Sequence, residues 1–267
     1  MSLKRQNVKT RFLRAVPVGF AYALGMKALV HGYLGDFAEA GLAMDTALRS
    51  VRGAEHAIEA SLLGLRGMIE IWHGRYADCI ETARQSRTRA ERVSGPYVFA
   101  TSQTLGSYAR LALAPDAAAL EELGQAVAWV DDRGMRLFFS FSAACLGEAL
   151  VAAGDLVQGR QKAERALDQV REGDRLGEVM AYRVIARAAL HSGDAAEARL
   201  FLERADEAAA RHGSRRERAL NQLGRAELCR RDGDGEGALE LVRAALETFH
   251  ELGMPAHAES TARLLKS

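Results

Sequence analysis

The stretch Ala189-Leu190-His191-Ser192-Gly193-Asp194-Ala195-Ala196-Glu197-Ala198 decides the fold. Ala and Leu are good helix formers. Gly193 suits the left-handed residue that ends a helix. Asp194 follows it where an N-cap belongs, and Glu197 completes a capping box. The segment therefore reads as helix, tight turn, helix.

The same signal recurs along the chain at Gly35-Asp36, Gly74-Arg75, Ala114-Pro115-Asp116, Gly154-Asp155 and Gly233-Asp234. The steps between the six turns are 39, 40, 40, 39 and 40 residues. Asp36 with Glu39 and Asp155 with Gln158 repeat the capping box. A period in this range is the mark of a repeat architecture.

Side-chain size repeats with the turns. Seven residues before them stand Ala28, Gly67, Ser107, Gly147, Ala186 and Ala226. Five residues after stand Ala40, Cys79, Ala119, Gly159, Ala198 and Ala238; twelve after stand Ala47, Ser86, Ala126, Ala166, Ala205 and Ala245. All eighteen are small. Two helices crossing at about 8–10 Å need small side chains at the crossing.

Composition agrees with a folded helical chain. Of 267 residues, 48% are hydrophobic and 27% charged, which excludes a disordered low-complexity chain. Lys+Arg 36 against Asp+Glu 35 leaves a net charge of +1, so nothing global points to nucleic acid or an anionic membrane. No apolar run is long enough to span a bilayer, and the basic N-terminus (Lys4, Arg5, Lys9, Arg11, Arg14) has no signal-peptide core. Cys79, Cys145 and Cys229 lack metal or redox spacing and read as free thiols of a cytoplasmic protein.

The expected architecture is all-α: a right-handed superhelical solenoid of six helical hairpins over residues 17–252, with a capping helix over 255–267. First helices are predicted at 17–33, 56–73, 95–113, 137–153, 175–192 and 214–231. Second helices are predicted at 37–52, 76–93, 116–133, 155–172, 194–212 and 235–252. Pro17, Pro96, Pro115 and Pro255 fall at expected helix starts. Residues 1–14 read as an N-terminal helix or the tail of a preceding, truncated repeat; on the second reading the chain is expected to be the C-terminal piece of a longer protein.

With its three small positions and intervening turn, this pattern resembles the tetratricopeptide repeat across residues 17–252. It departs from that family in a period nearer 40 than the usual 34 residues. Of the family's signature aromatic only Tyr182 is in place. Long degenerate repeats of this kind are similar to those C-terminal in large bacterial signalling ATPases, cyclases and LuxR-like regulators. The resemblance implies a non-catalytic protein-interaction or regulatory scaffold. Its alternative is a ligand- or peptide-sensing array that changes curvature on binding. No cofactor is implied, and homo-oligomers are allowed.

The resemblance also implies a concave groove lined by first helices. It carries Tyr22, Leu29 and Tyr33 in the first repeat, Met68, Ile71 and Trp72 in the second, and Thr104, Tyr108 and Leu111 in the third. Phe141, Glu148 and Val151 follow, then Met180, Arg183, Arg187 and His191, then Leu223, Glu227, Arg230 and Arg231. The first half is apolar and the second cationic, so the expected partner is a protein or peptide segment with apolar and acidic portions. An array of six hairpins at about 10 Å each is expected to form an open curved rod without a closed cavity.

Other chemistry is weakly signalled. Asp232-Gly233-Asp234-Gly235-Glu236-Gly237 resembles a calcium loop, but its twelfth position is Arg243, where a bidentate Glu is required. His31, His56, His73, His191, His212, His250 and His257 lack zinc spacing. There is no P-loop and no nucleophile elbow. The arginines Arg211, Arg215, Arg216 and Arg218, and Arg84, Arg87, Arg89 and Arg92, lack the interleaved aromatics of a single-strand binder.

Overall fold

Five of the six expected turns are capped by side chain and backbone together, the exception being Gly74-Arg75. In the computed structural model, which describes residues 2–52, 57–93 and 95–266, Asp36, Asp116, Asp155, Asp194 and Asp234 accept hydrogen bonds from the backbone N–H three residues on. The distances run from 2.8 to 3.4 Å. Asp234, the central acid of the calcium-like loop, is thus the N-cap of a helix. Gly74 and Gly193 sit at φ +81 and +91, a region that favours glycine.

Among the described residues there are thirteen helices and no strand. First helices are α1 (Ser2–Leu34), α3 (Ile58–His73), α5 (Pro96–Leu113), α7 (Phe139–Ala152), α9 (Glu178–Ser192) and α11 (Arg215–Arg231). Second helices are α2 (Phe37–Ser50), α4 (Tyr76–Arg92), α6 (Ala117–Asp132), α8 (Leu156–Arg171), α10 (Ala195–His212) and α12 (Gly235–Glu251). A last helix, α13 (Pro255–Arg263), packs on α12. Pro96 and Pro255 open their helices. Pro115 precedes the cap of α6, and Pro17 lies within α1 rather than at its start, removing one backbone bond from that helix. His56 and Met1 lie outside the described residues.

All eighteen small residues are buried. Between α7 and α8 the backbones touch: a Cβ on Gly159 would stand 2.8 Å from the Gly147 carbonyl oxygen. First helices occupy the middle of the wall. α7 buries eleven of its fourteen residues, whereas α8 buries four of sixteen. Second helices form the outer layer, where Arg84 pairs with Glu81 at 2.6 Å and Arg89 with Glu59 at 3.0 Å.

The rod is not open. The superhelix turns far enough to bring its last repeat onto its first. The Tyr33 hydroxyl donates to His212 Nδ1 at 2.7 Å, while His212 Nε2 meets Glu178 at 2.9 Å. Ser214 donates to the Tyr33 carbonyl at 2.8 Å. His73 stacks on Phe37 with ring centroids 4.1 Å apart and donates Nε2–H to the Gly253 carbonyl at 2.8 Å. This corrects the expectation of an open groove: curvature accumulated over six hairpins closes a ring.

That closure carries a pH dependence. His257, on α13, lies against Phe249 and Tyr76 beside the Gly74 turn. Burial, aided by Arg216 and His73, lowers its pKa to about 4. Burial also lowers that of His73, against the pull of the Gly253 carbonyl. Both groups are held neutral in the fold. Their contribution is complete above the unfolded histidine value near 6.5 and is lost as pH falls through the folded one. Unfolding stability is expected to drop by about 2–3 kcal/mol between pH 7 and pH 4 from His257 alone. Urea titrations at the two pH values check this, and His257→Phe should remove most of the difference.

Candidate functional site

The ring surrounds a cavity of about 1010 Å³ that stays partly open to solvent. Its wall is built by the inward faces of α3, α5, α7, α9 and α11, with Tyr76 of α4, the N-terminus of α6, Leu202 of α10 and two residues of the C-terminal segment, His257 and Leu264. Because first helices bury both flanks against neighbouring hairpins, only one narrow stripe of each remains for the lumen.

Most groove residues expected from the sequence converge here. Ile71, Trp72, Tyr108, Leu111, Phe141, Glu148, Val151, Met180, Arg183, Arg187, Leu223, Glu227 and Arg230 all line the cavity. Leu29, Met68 and Thr104 do not; they are buried in the packing between helices. Tyr33 makes the ring closure, edge-on to Trp72 at 5.3 Å. Tyr22 is exposed outside the lining, as is Arg231. His191 pairs with Glu227 at 3.5 Å.

The cationic side of the cavity rests on a buried network. Arg183 donates to Glu217 and, at 3.1 Å, to the Asn221 side-chain oxygen. Arg216 donates to the same Glu217 and lies over the Trp72 ring, 6.0 Å from its centroid. Glu217 is only 3% exposed. Burial pushes its carboxyl upward, but Arg183 and Arg216 outweigh that and hold it below the ordinary range. On the Arg216 side chain, Nε is buried without a hydrogen-bond partner.

The acids of the wall are already engaged. Asp116 caps α6 and pairs with Arg110 at 2.6 Å. Glu148 accepts the Tyr108 hydroxyl, and burial together with that carboxylate keeps the phenol protonated. Arg230 donates to the Leu264 carbonyl at 2.7 Å. Arg187 differs: it is exposed to the cavity, and among the described residues no carboxylate lies within ion-pair distance. Cys79 and Cys145 are buried with their thiols pushed well up by desolvation, which disfavours the reactive thiolate. The Ser140 hydroxyl accepts from the Gly177 N–H at 2.9 Å, and Ser142 donates to the Phe138 carbonyl.

Sequence reasoning missed Tyr76, Arg216, Glu217 and His257. The arginine cluster around residue 215 gave the only hint. The structure splits it: Arg211 pairs with Glu178 and Arg215 with Glu251, Arg218 is exposed, and Arg216 turns inward. Arg216 sits one residue from Glu217, so neither helical period nor charge sign separates it from its solvated neighbours.

Among the described residues no group of three or more His, Cys, Asp or Glu is placed to hold a metal ion, and no helix is long and apolar enough to cross a membrane. No protein-family model matches the chain, and no curated protein matches it.

Proposed function

We propose that this chain is a non-catalytic binding and regulatory module of tetratricopeptide-like architecture, which receives a short segment of a partner protein in its central cavity. The occupant has an apolar body and an acidic end. The carrying observation is Arg187: a cation without a counter-charge among the described residues, facing a cavity whose other walls are Ile71, Trp72, Phe141, Met180 and Leu223. The volume suits a few peptide residues, at the upper end of the roughly 300–1,000 Å³ of small-ligand pockets. The closed ring favours such a compact occupant over a long extended one, and a small apolar carboxylate shares the same chemistry.

Calorimetric titration tests the reading with two probes, a hexapeptide of apolar residues ending in two glutamates and decanoate. Peptide binding supports a protein segment, and decanoate alone supports a small ligand. A charge-assisted hydrogen bond is worth about 1.5–3 kcal/mol, so Arg187→Glu should weaken binding at least about tenfold. It should leave the melting temperature of the free chain unchanged, because the residue is exposed and makes no ion pair among the described residues. Binding indifferent to Arg187→Glu would overturn the assignment.

A further inference from the structure

The stacking register of the repeats leaves one helix face without its neighbour. In each hairpin after the first, the first helix turns the residues five and twelve before the turn toward the preceding hairpin. At the twelve-before position stand Leu62, Ser102, Ser142, Ala181 and Asn221, all buried. At the five-before position stand Ile69, Ala109, Ala149, Ala188 and Leu228, again all buried.

Contacts fix what covers them. Leu62 and Ile69 of α3 pack so closely on α1 that a Cβ at Gly25 or Gly32 would meet them at 2.5 and 2.9 Å. Ser102 donates to Ser86 on α4 at 2.7 Å, and Asn221 to Asp206 on α10 at 2.9 Å. The position eight before the turn lies between these two; it is Gly106, Leu146 and Ile185 in the middle repeats and a cation in the second and sixth. There Arg66 pairs with Asp45 of the preceding second helix at 3.3 Å, and Arg225 pairs with Asp206 of its own predecessor.

In α1 the same three positions are Ala23, Lys27 and Val30, and all three are exposed. Val30 is 56% exposed, and Phe20, three residues before Ala23, is 55% exposed on the same stripe. Large apolar side chains in solvent at helical spacing mark an interaction face. Lys27 stands where Arg66 and Arg225 meet carboxylates.

We propose that the α1 face carrying Ala23, Lys27 and Val30 is a vacant stacking surface for a further helical hairpin of the same repeat type. That hairpin brings small residues of its first helix to Ala23 and Val30 and a carboxylate of its second helix to Lys27. A second copy of this chain fits less well. Pairing α1 with α1 across a two-fold axis sets Lys27 near its own mate, and the far end of the array is covered by α13.

The test lengthens the full chain by one hairpin. Duplicating residues 18–57 in register ahead of Val18 adds one 40-residue repeat and presents Gly25, Gly32 and Asp45 of the added copy to the face. Repeat arrays gain stability through each nearest-neighbour interface. The extended chain is expected to melt in one transition, about 3–6 °C above the original. Val30→Asp on the receiving helix should abolish the gain while leaving the unextended chain unchanged. Lys27→Glu should reduce the gain, and Asp45→Lys in the added copy should restore it. No gain, or a gain that ignores both Val30→Asp and the charge swap, overturns the proposal. So does a dimer of the unextended chain in sedimentation that Val30→Asp dissolves.

Discussion

Adding one methyl group in Gly177→Ala is expected to destabilise the protein by about 3 kcal/mol or more. Gly177 has φ −92 and ψ 0, a conformation open to every residue, so backbone strain is not the cause. The cause is contact. A Cβ there would lie 2.2 Å from the Ser140 carbonyl oxygen, 2.3 Å from its carbonyl carbon and 2.7 Å from the Phe141 nitrogen. These are backbone atoms in the first turn of α7 and cannot rotate aside. The site is also pinned from both directions. Gly177 N–H donates to the Ser140 hydroxyl at 2.9 Å, and Ser140 N–H donates to Asp174 at 2.8 Å. Relief therefore means separating α9 from α7 and breaking the link that orders the lumen face bearing Phe141 and Arg183. Gly134→Ala is the control. It sits at φ +60 with nothing within 4 Å, so only the left-handed conformation is penalised, by about 1–2 kcal/mol. Urea midpoints of the two variants decide. A Gly177→Ala loss no larger than that of Gly134→Ala means the helices are not in this contact.

The hairpins were legible because their determinants are local. A turn glycine, an aspartate after it and three small residues at fixed offsets need only their own repeat, and all lie where the spacing puts them. A second series was legible but unread. Gly134, Gly173, Gly213 and Gly253 close the second helices at positive φ, stepping by 39, 40 and 40 residues. What could not be read is set by sums over the array. Whether six hairpins leave an open groove or close a ring depends on small rotations accumulated at each interface, and no single residue encodes them. The closing contacts join residues such as Tyr33 and His212, 179 positions apart. The true site of Arg183 is hidden by a nearer cause, the packing of one hairpin on the next. From the sequence it reads as a free groove cation beside Arg187, yet α11 of the next hairpin sets Glu217 and Asn221 against it and leaves Arg187 without an ion-pair partner among the described residues. A reversal of both charges, Arg183→Glu with Arg187→Glu, therefore cannot serve as a probe that spares folding.

Glu217→Ala should be the costliest loss of charge in the molecule, about 3–5 kcal/mol. The carboxylate accepts from both Arg183 and Arg216, whose side chains are 14% and 7% exposed. Without it two guanidinium groups face each other in a poorly solvated space, with the Asn221 oxygen as the remaining acceptor for Arg183. Removing all three charges together, as Arg183→Met, Arg216→Met and Glu217→Leu, should cost far less, because desolvation of each ion is then avoided. The pH response has a defined sign. Arg183 and Arg216 depress the carboxyl against the opposing effect of burial, so its stabilisation is complete above the unfolded glutamate value near 4.3. It is lost only as pH falls below that, after the histidine contribution has gone. Acid unfolding of the wild type should thus proceed in two limbs, with the lower one missing in Glu217→Gln. A Glu217→Ala cost under about 1 kcal/mol, the range of exposed pairs, would mean that water reaches this network. Arg183, Arg216 and Glu217 would then be solvated like the ion pairs of the outer layer, and the buried network between α9 and α11 would not exist.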